Sequence, residues 1–477
     1  MTDVIRLTTI DYRLSTIASA IALLVCLHAS QAIAQVIERP ERPIAGLFGG
    51  GRPPDPARAR HDLTLTVNTL GGYDDNPSPT ESGGVDAFTP REPGYMGFGE
   101  TALVYRRGKQ SQSFEIGGRG FVNAFRNVGL TPGFGGDLHA DLRAPLGRRH
   151  QLGLSASGRT DPFYTLGAFA PLRGDGGAGG DGDDVESSVL PDANPVNGFS
   201  IRRSLTGDAA VSLTSRWTPR NTMSADYQYH MSDFRDNIGD GHTHAASLGY
   251  TRSIGRRSGL SAKYRASDSE FLDQDGLVRP NRTQTADLGY QHEREVSRTR
   301  RLAFGFGAGA TYVDTVSSVL RERLDYVMPS GYANTRVDVA RTWSISANYR
   351  RAVSVLEGLT AESFITDTGL VRVGGFLGSR SELALSAAYS TGAAVVTEST
   401  AKFDSYTGTA QLRVMLTRWW AAVVSQNVYA YRLHEFGELP KGMLDRLDRN
   451  ATRVGMTLNL PLYGGYISRR ARPRDGR

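Results

Sequence analysis

The sequence predicts an all-β fold, a transmembrane antiparallel up-and-down β-barrel of about 18 strands. Three observations predict it: apolar and polar residues alternate with period two, short connections alternate with long ones, and the tryptophans lie only beside short connections. Composition agrees, because only 39% of the residues are hydrophobic whereas Gly and Tyr number 55 and 20. A charged fraction of 22% excludes a long disordered tail, and the negative mean hydropathy with only one apolar run that approaches spanning length excludes a bundle of membrane helices.

The N-terminus has the pattern of a secretory signal peptide. Arg6 and Arg13 precede a short apolar stretch, and Ala32-Ile33-Ala34 supplies the small residues of a cleavage site. We expect residues 1–34 to be removed; the alternative is an uncleaved anchor helix, for which the apolar stretch is short. Residues 35–60 are rich in Pro and Gly and are predicted to form a periplasmic linker.

From residue 61 to residue 463 the chain alternates with period two, which is the pattern of β-strands with one apolar and one polar face. Between 222 and 234, for example, Met223, Ala225 and Tyr227 alternate with Ser224 and Asp226. A half-buried sheet in a soluble protein produces the same pattern, so alternation by itself leaves both readings open.

The connections favour the barrel. Short turns near Arg107, Arg149, Arg220 and Arg256 alternate with longer loops, and a transmembrane barrel places these two kinds of connection on opposite sides of the membrane. An even strand number puts both termini on the periplasmic side.

The weakest predicted strands are 331–340 and 383–390, and about sixteen strands are expected if both are misread. Longer loops are predicted at, among other places, 315–330, 391–401 and 435–450.

The tryptophans are an independent indication, since Trp217, Trp343, Trp419 and Trp420 all lie beside short turns. If the short turns share one side, these residues form part of an interfacial belt, where an amphipathic ring is favoured. The alternative is that they belong to small core clusters of a soluble protein.

The first strand running into Gly72-Tyr73-Asp74-Asp75-Asn76-Pro77, the repeated alternating hairpins and the closing strand from Arg453 to Tyr463 resemble the outer-membrane β-barrel (porin-like) proteins of Gram-negative bacteria. The resemblance covers roughly 61–463. It implies an outer-membrane location after export, contact with outer-membrane lipid, and a final aromatic residue, here Tyr463, that the barrel-insertion machinery recognises. Some members of such families look associated with polysaccharide export. The basic tail 464–477 departs from the family pattern.

A barrel of this size encloses a lumen that side chains do not fill, so an aqueous path is expected unless a plug closes it. Residues at the polar positions of the period-two alternation should face the lumen. We therefore predict that the following charged residues line the pore: Arg119, Arg143, Arg159, Lys263, Arg265, Arg350, Arg413, Arg453, Asp137, Asp141, Asp226 and Asp287. The two signs nearly balance, so no strong ion preference is predicted. Alternatively, the charges only pair across strands and satisfy a polar wall.

The longest predicted loop runs from 161 to 197 and contains an acidic, Gly-rich segment with Asp175, Asp181, Asp183 and Asp184. In the general porins that the chain resembles, the loop at this place folds inward and narrows the pore. The alternative is a mobile external loop.

The sequence predicts no enzyme, no cofactor and no metal site. His242 and His244 fall on the apolar face of their strand, whereas Ser232, Ser267 and Ser269 have the opposite parity, so no Ser–His pair is expected. The net charge of +6 is too dilute over the chain to predict nucleic-acid binding.

Together these features predict a static, water-filled pore for small hydrophilic solutes or for an exported polysaccharide. The second hypothesis is a non-conducting structural or adhesive barrel that acts through its long extracellular loops. A homo-oligomer is possible in either case.

Overall fold

The structure is a computed structural model, and it describes residues 60–75, 94–109, 112–126, 133–161, 203–234, 240–272, 277–297, 299–316, 322–339, 342–356, 362–395, 401–436 and 445–463. The signal peptide 1–34, nearly all of the linker, the acidic loop residues Asp175, Asp181, Asp183 and Asp184, and the tail 464–477 lie outside the described residues.

The described residues form β-strands joined by turns. Their bounds are β1 Arg60–Asp74, β2 Gly94–Lys109, β3 Gln112–Arg126, β4 Gly133–Leu146, β5 His150–Asp161, β6 Ser204–Thr218, β7 Asn221–Phe234, β8 Gly241–Ser253, β9 Ser258–Leu272, β10 Val278–Ser297, β11 Arg300–Val316, β12 Arg323–Val339, β13 Trp343–Val355, β14 Ser363–Phe376, β15 Ser381–Ala394, β16 Lys402–Met415, β17 Trp420–His434 and β18 Arg446–Tyr463.

Each strand pairs antiparallel with the next one in sequence, and β1 also pairs with β18, so the sheet closes on itself. The predicted fold class, an up-and-down barrel of 18 strands, is therefore confirmed. The sixteen-strand alternative is wrong, because the weak segments 331–340 and 383–390 belong to the full-length strands β12 and β15.

Several predicted loop boundaries are wrong in the same direction. β12 begins at Arg323, inside the predicted loop 315–330, and β18 begins at Arg446, inside the predicted loop 435–450. β15 likewise continues to Ala394. The reason is visible in β12, where Arg323 and Asp325 occupy the face on which apolar residues were expected. These strand ends do not carry the polarity pattern from which strands were predicted.

The connections separate into two rims. Every connection that follows an odd-numbered strand is longer than every connection that follows an even-numbered strand, as in 235–240 against 219–220. Because all pairs are antiparallel, the short turns share one rim, here called the short-turn rim, with the beginning of β1 and the end of β18. The opposite rim, the long-loop rim, carries the longer connections.

Phe234 distinguishes the inward face from the outward face. It ends β7, yet it packs in one cluster with residues of β14, β16, β17 and β18 on the other side of the barrel, a contact that only inward side chains can make. Register then assigns every other residue to a face. Large apolar side chains point outward and stay exposed, among them Leu138 (69%), Leu288 (69%) and Val327 (65%).

Within the described ranges, no helix is long and apolar enough to cross a membrane.

A buried ion pair joins the first strand to the last. Nε and Nη2 of Arg449 on β18 donate to the carboxylate of Asp74 at the end of β1, with distances of 2.9 Å and 2.5 Å to Oδ2. Asp74 is fully buried. Arg453 follows on the same inward face, is 1% exposed, and its Nε and Nη2 form no hydrogen bond among the described residues. Asp74 also interacts electrostatically with Arg453, so one buried carboxylate serves two buried guanidinium groups.

We predict that Asp74→Ala lowers the free energy of unfolding by about 3–5 kcal/mol, because it removes the carboxylate that compensates the buried charge of Arg449. The measurement is urea unfolding of the detergent-solubilised barrel. The control is Asp268→Ala, which removes the partner of the exposed Arg282 and should cost about 1 kcal/mol or less. Equal losses in the two variants would contradict the structural role of the closing pair.

Candidate functional site: the barrel lumen

The structure places all the predicted lining residues on the inward face. Arg143 and Asp141 are exposed and Arg453 is buried in the wall. The others are half-buried: Arg119, Arg159, Lys263, Arg265, Arg350, Arg413, Asp137, Asp226 and Asp287.

Opposite charges meet across neighbouring strands along β2 to β4. Arg119 donates to Asp137 over 2.5 Å and lies 3.8 Å from Glu100. Towards the short-turn rim, Arg106 and Glu115 form a bonded pair of 2.6 Å. This sector of the wall is a ladder of paired charges, so its fixed charges largely neutralise one another.

Hydroxyl and amide groups hold the charges in the sector from β7 to β12. Asp226 accepts a hydrogen bond from Ser247 (2.7 Å), and Asp287 accepts one from Ser330 (2.8 Å). Arg265 donates to the side-chain oxygen of Gln228 over 3.3 Å. Lys263 interacts with both of these carboxylates, so this sector also carries charges of both signs, supported by hydroxyl and amide groups.

Tyr332 lies flat on this wall. A Cβ atom on Gly307 would overlap its ring, and its hydroxyl reaches over β11 to Gly289 on β10. Glycine at position 307 is therefore required by the close approach of the aromatic ring, and not by its backbone angles. The arrangement keeps a bulky side chain against the wall and leaves the space in front of it free.

An apolar cluster lies inside the long-loop rim. It contains Phe234, Leu356, Phe364, Ala401, Phe403, Tyr429, Tyr431, Leu433 and Leu447, and we call it the apolar rim cluster. The rings of Phe364 and Phe403 are 5.9 Å apart and both side chains are fully buried. Because its members come from opposite sides of the barrel, the cluster bridges the lumen at this end.

The period-two alternation did not predict this cluster, because that rule assigns polar side chains to the inward positions. The signal is nevertheless present in the sequence: at the loop-proximal ends of β14, β16 and β17, Phe364, Phe403 and Tyr431 occupy inward positions. A smaller group, Met96, Phe98 and Phe121 with Leu70, lies on the inward face of β1 to β3.

The four tryptophans lie at the short-turn rim. Trp217 is near the end of β6, Trp343 begins β13, and Trp419 and Trp420 lie at the turn before β17. Trp217 and Trp420 are exposed on the outward face. Trp343 donates to the carbonyl oxygen of Phe376 over 3.1 Å, which orients its ring along the barrel surface.

His242 and His244 point outward near the long-loop rim. His244 shares a 2.7 Å hydrogen bond with the hydroxyl of Tyr227, and His242 lies 3.6 Å from Glu270. Ser269 points inward, where Thr243 donates to it. The two histidines are thus occupied by their own neighbours on the outer surface. Among the residues that the structure describes, no group of three or more His, Cys, Asp or Glu side chains has the spacing of a metal site.

No protein-family model matches the sequence, and no curated protein is significantly similar to it. Solved structures to which the chain is similar include Pseudomonas aeruginosa OccK2 (OpdF) in complex with glucuronate, at 12% identity and a TM-score of 0.42 over 84% of this chain and 98% of that one. Acinetobacter baumannii OccAB4 is 9% identical with a TM-score of 0.42, over 85% and 100% of the two chains. Pseudomonas aeruginosa OpdL is 15% identical with a TM-score of 0.39, over 85% and 100%. Sequence identities and TM-scores this low assign neither a family nor a cargo to this chain.

The apolar rim cluster makes a prediction about Gly392 on β15. A Cβ atom there would overlap the ring of Phe403, so Gly392→Ala must displace a fully buried side chain. We expect a loss of about 1–3 kcal/mol in the free energy of unfolding. Gly97→Ala is the matched control, since Gly97 lies within β2 with open space around its Cβ position and should change stability by about 0.5 kcal/mol at most. A neutral Gly392→Ala would show that the cluster is loosely packed.

Proposed function

We propose that the mature chain inserts into the outer membrane of a Gram-negative bacterium and forms a pore for small hydrophilic solutes. One observation carries the proposal: exposed apolar side chains cover the outward face of the barrel, whereas charged and hydroxyl side chains cover much of the inward face. In water the outward face would be an extensive apolar surface, which soluble proteins do not expose. In lipid it is the surface that a closed barrel requires.

The orientation follows from the two rims. Short periplasmic turns and long external loops place the short-turn rim, with its tryptophans, at the periplasmic interface. In this proposal residues 1–34 are removed on export, residues 35–60 form the periplasmic linker, and Tyr463 at the end of β18 is the residue that the insertion machinery recognises. The acidic residues of the 161–197 loop are proposed to narrow the pore from the external side.

The lumen wall supports passage of small polar solutes better than binding of one particular solute. Paired charges along β2 to β4 face hydroxyl-supported charges along β7 to β12, so a solute meets both signs at short range. An exported polysaccharide strand would need a continuous wide path. The apolar rim cluster makes that second cargo less compatible with the structure.

A second function is favoured by the apolar rim cluster itself. If the cluster closes the lumen completely, the chain is a non-conducting structural or adhesive barrel that acts through its external loops. Apolar constrictions stop ions by excluding water, even where a geometric path exists.

Planar-bilayer recording separates the two functions. The pore predicts stepwise conductance of the wild-type barrel. It also predicts a roughly twofold larger step for Phe403→Ala, because the ring that is removed belongs to the apolar cluster that bridges the lumen. Phe306→Ala is the matched control, because Phe306 faces outward and is exposed. A silent wild type beside a conducting Phe403→Ala variant would establish the closed barrel instead, and silence of both would reject the pore.

Ion selectivity tests the charged wall. Asp137→Asn removes one of the carboxylates next to Arg119, so the net charge of this part of the wall becomes more positive and the reversal potential in a KCl gradient should move towards that of chloride. Asp268→Asn, which changes an outward carboxylate, should leave the reversal potential where it is. An unchanged potential in Asp137→Asn would mean that permeating ions do not pass this part of the wall.

A further inference from the structure

The outward surface is grooved across β12 to β17. The groove has a volume of about 690 Å³ and its lining is almost entirely apolar. Small residues form its floor at Ala347, Ala387 and Gly408, whereas the neighbouring sector from β8 to β11 presents large side chains such as Leu288 and Phe306 at the outward positions.

Strand register orders the groove into rows. The floor row runs Ala347, Val371, Ala387, Gly408 and Val428 from β13 to β17. The next row towards the long-loop rim runs Tyr349, Gly369, Tyr389, Tyr406 and Ala430. Three tyrosine rings therefore stand along the edge of the apolar groove.

A charged row lies immediately above the tyrosines. It runs Arg351, Asp367, Thr391, Asp404, Arg432 and Arg446 from β13 to β18. The tyrosine hydroxyls point to it, since Tyr349 donates to Asp367 over 2.6 Å and Tyr389 donates to Asp404 over 2.8 Å. The apolar groove thus ends in a polar, hydrogen-bonding edge near the long-loop rim.

Positive charge is in excess at this edge. Arg351 lies 3.6 Å from Asp367, and Arg446 is bonded to Asp448 over 2.7 Å. Arg432 and Lys402 are exposed on the same face, and neither forms an ion pair within the described part of the chain. Arg432 lies opposite Arg446 on β18 and opposite Asp404 on β16, and Arg446 is already bonded to Asp448, so Arg432 and Lys402 are the cations of this edge that remain for an external anion.

We propose that this surface binds a phosphorylated glycolipid of the external leaflet. One acyl chain lies in the groove over Ala347, Ala387 and Gly408, and a phosphate group lies between Arg432, Arg446 and Lys402. Arginine recognises phosphate in a bidentate manner, and tyrosine and aspartate at the edge suit sugar hydroxyl groups. The inference rests on the proposed insertion into the outer membrane, because the groove faces lipid only there.

Charge distinguishes this occupant from a second copy of the chain. Two copies that met through the same surface in an isologous dimer would bring the same excess positive charge to both sides of one interface. An anionic headgroup is attracted by that charge, and the attraction weakens as ionic strength rises.

The test measures lipid retention by the full-length mature barrel in detergent, by native mass spectrometry during titration with diphosphorylated lipid A. The double variant Arg432→Ala/Lys402→Ala should reduce affinity roughly tenfold or more, as the loss of two cations near a phosphate implies. Ala387→Phe should fill the groove and reduce affinity for lipid A and for its dephosphorylated form alike. The first variant should not affect the dephosphorylated form.

Two matched controls accompany these variants. Arg282→Ala removes an outward arginine near the same rim on β10, and Ala246→Phe enlarges an exposed outward alanine on β8; both should retain lipid A as the wild type does. Unchanged retention in the double variant and in Ala387→Phe overturns the proposal. A dimer that Ala387→Phe abolishes, or tighter binding of phosphatidylglycerol than of lipid A, overturns it as well. Retention of lipid A by a barrel that is silent in bilayers would reject the pore and leave the lipid site supported.

Discussion

Closure of the sheet is the constraint on which the rest of this structure depends. In hydrocarbon each unpaired backbone N–H or C=O group costs several kcal/mol, so a strand can face lipid only if both of its edges are paired. The pairing of β1 with β18 removes the last two edges, and Asp74 and Arg449 reinforce it from inside the wall. The ion pair stands where β1 ends and β18 begins, at the long-loop rim, so it also fixes the register of two strands that the whole chain separates.

The polarity of the side chains also changes along each strand, because only the middle of the closed barrel would meet lipid. In the middle of the barrel the outward side chains are apolar, because they would meet lipid. Beyond that band, near the long-loop rim, outward positions carry paired charges such as Arg323 with Asp314, and inward positions carry Phe364, Phe403 and Tyr431. The strand ends there resemble an ordinary soluble sheet around an apolar core. The apolar rim cluster is that core, and it narrows the lumen at this end of the barrel.

The sequence predicted the architecture because alternation and connection length are local properties that a closed antiparallel barrel repeats many times. Parity placed Arg119, Asp137, Lys263 and the other predicted residues on the face that the structure turns inward. Parity could not locate the apolar rim cluster or the true starts of β12 and β18, because the rule assumes that every inward position is wet. It also could not find the groove, since Ala387 and Gly408 become neighbours only through the register of β15 with β16.

Side-chain volume is distributed differently in two sectors of the wall, and this asymmetry links the lumen to the outer surface. From β8 to β11 large residues face outward, as Leu288 and Phe306 do, and small ones such as Ser247 and Gly307 face inward. From β14 to β17 aromatic residues face inward at the long-loop rim, and small residues form the groove outside. Lys263 and Arg265 also face inward in the first sector, whereas aromatic side chains occupy the lumen beside the second at the long-loop rim, so solutes that cross the proposed pore would pass beside the first sector. The second sector has its bulk inside and a cavity outside, so the chain can hold a lipid on its exterior at the place where its interior is most solidly packed.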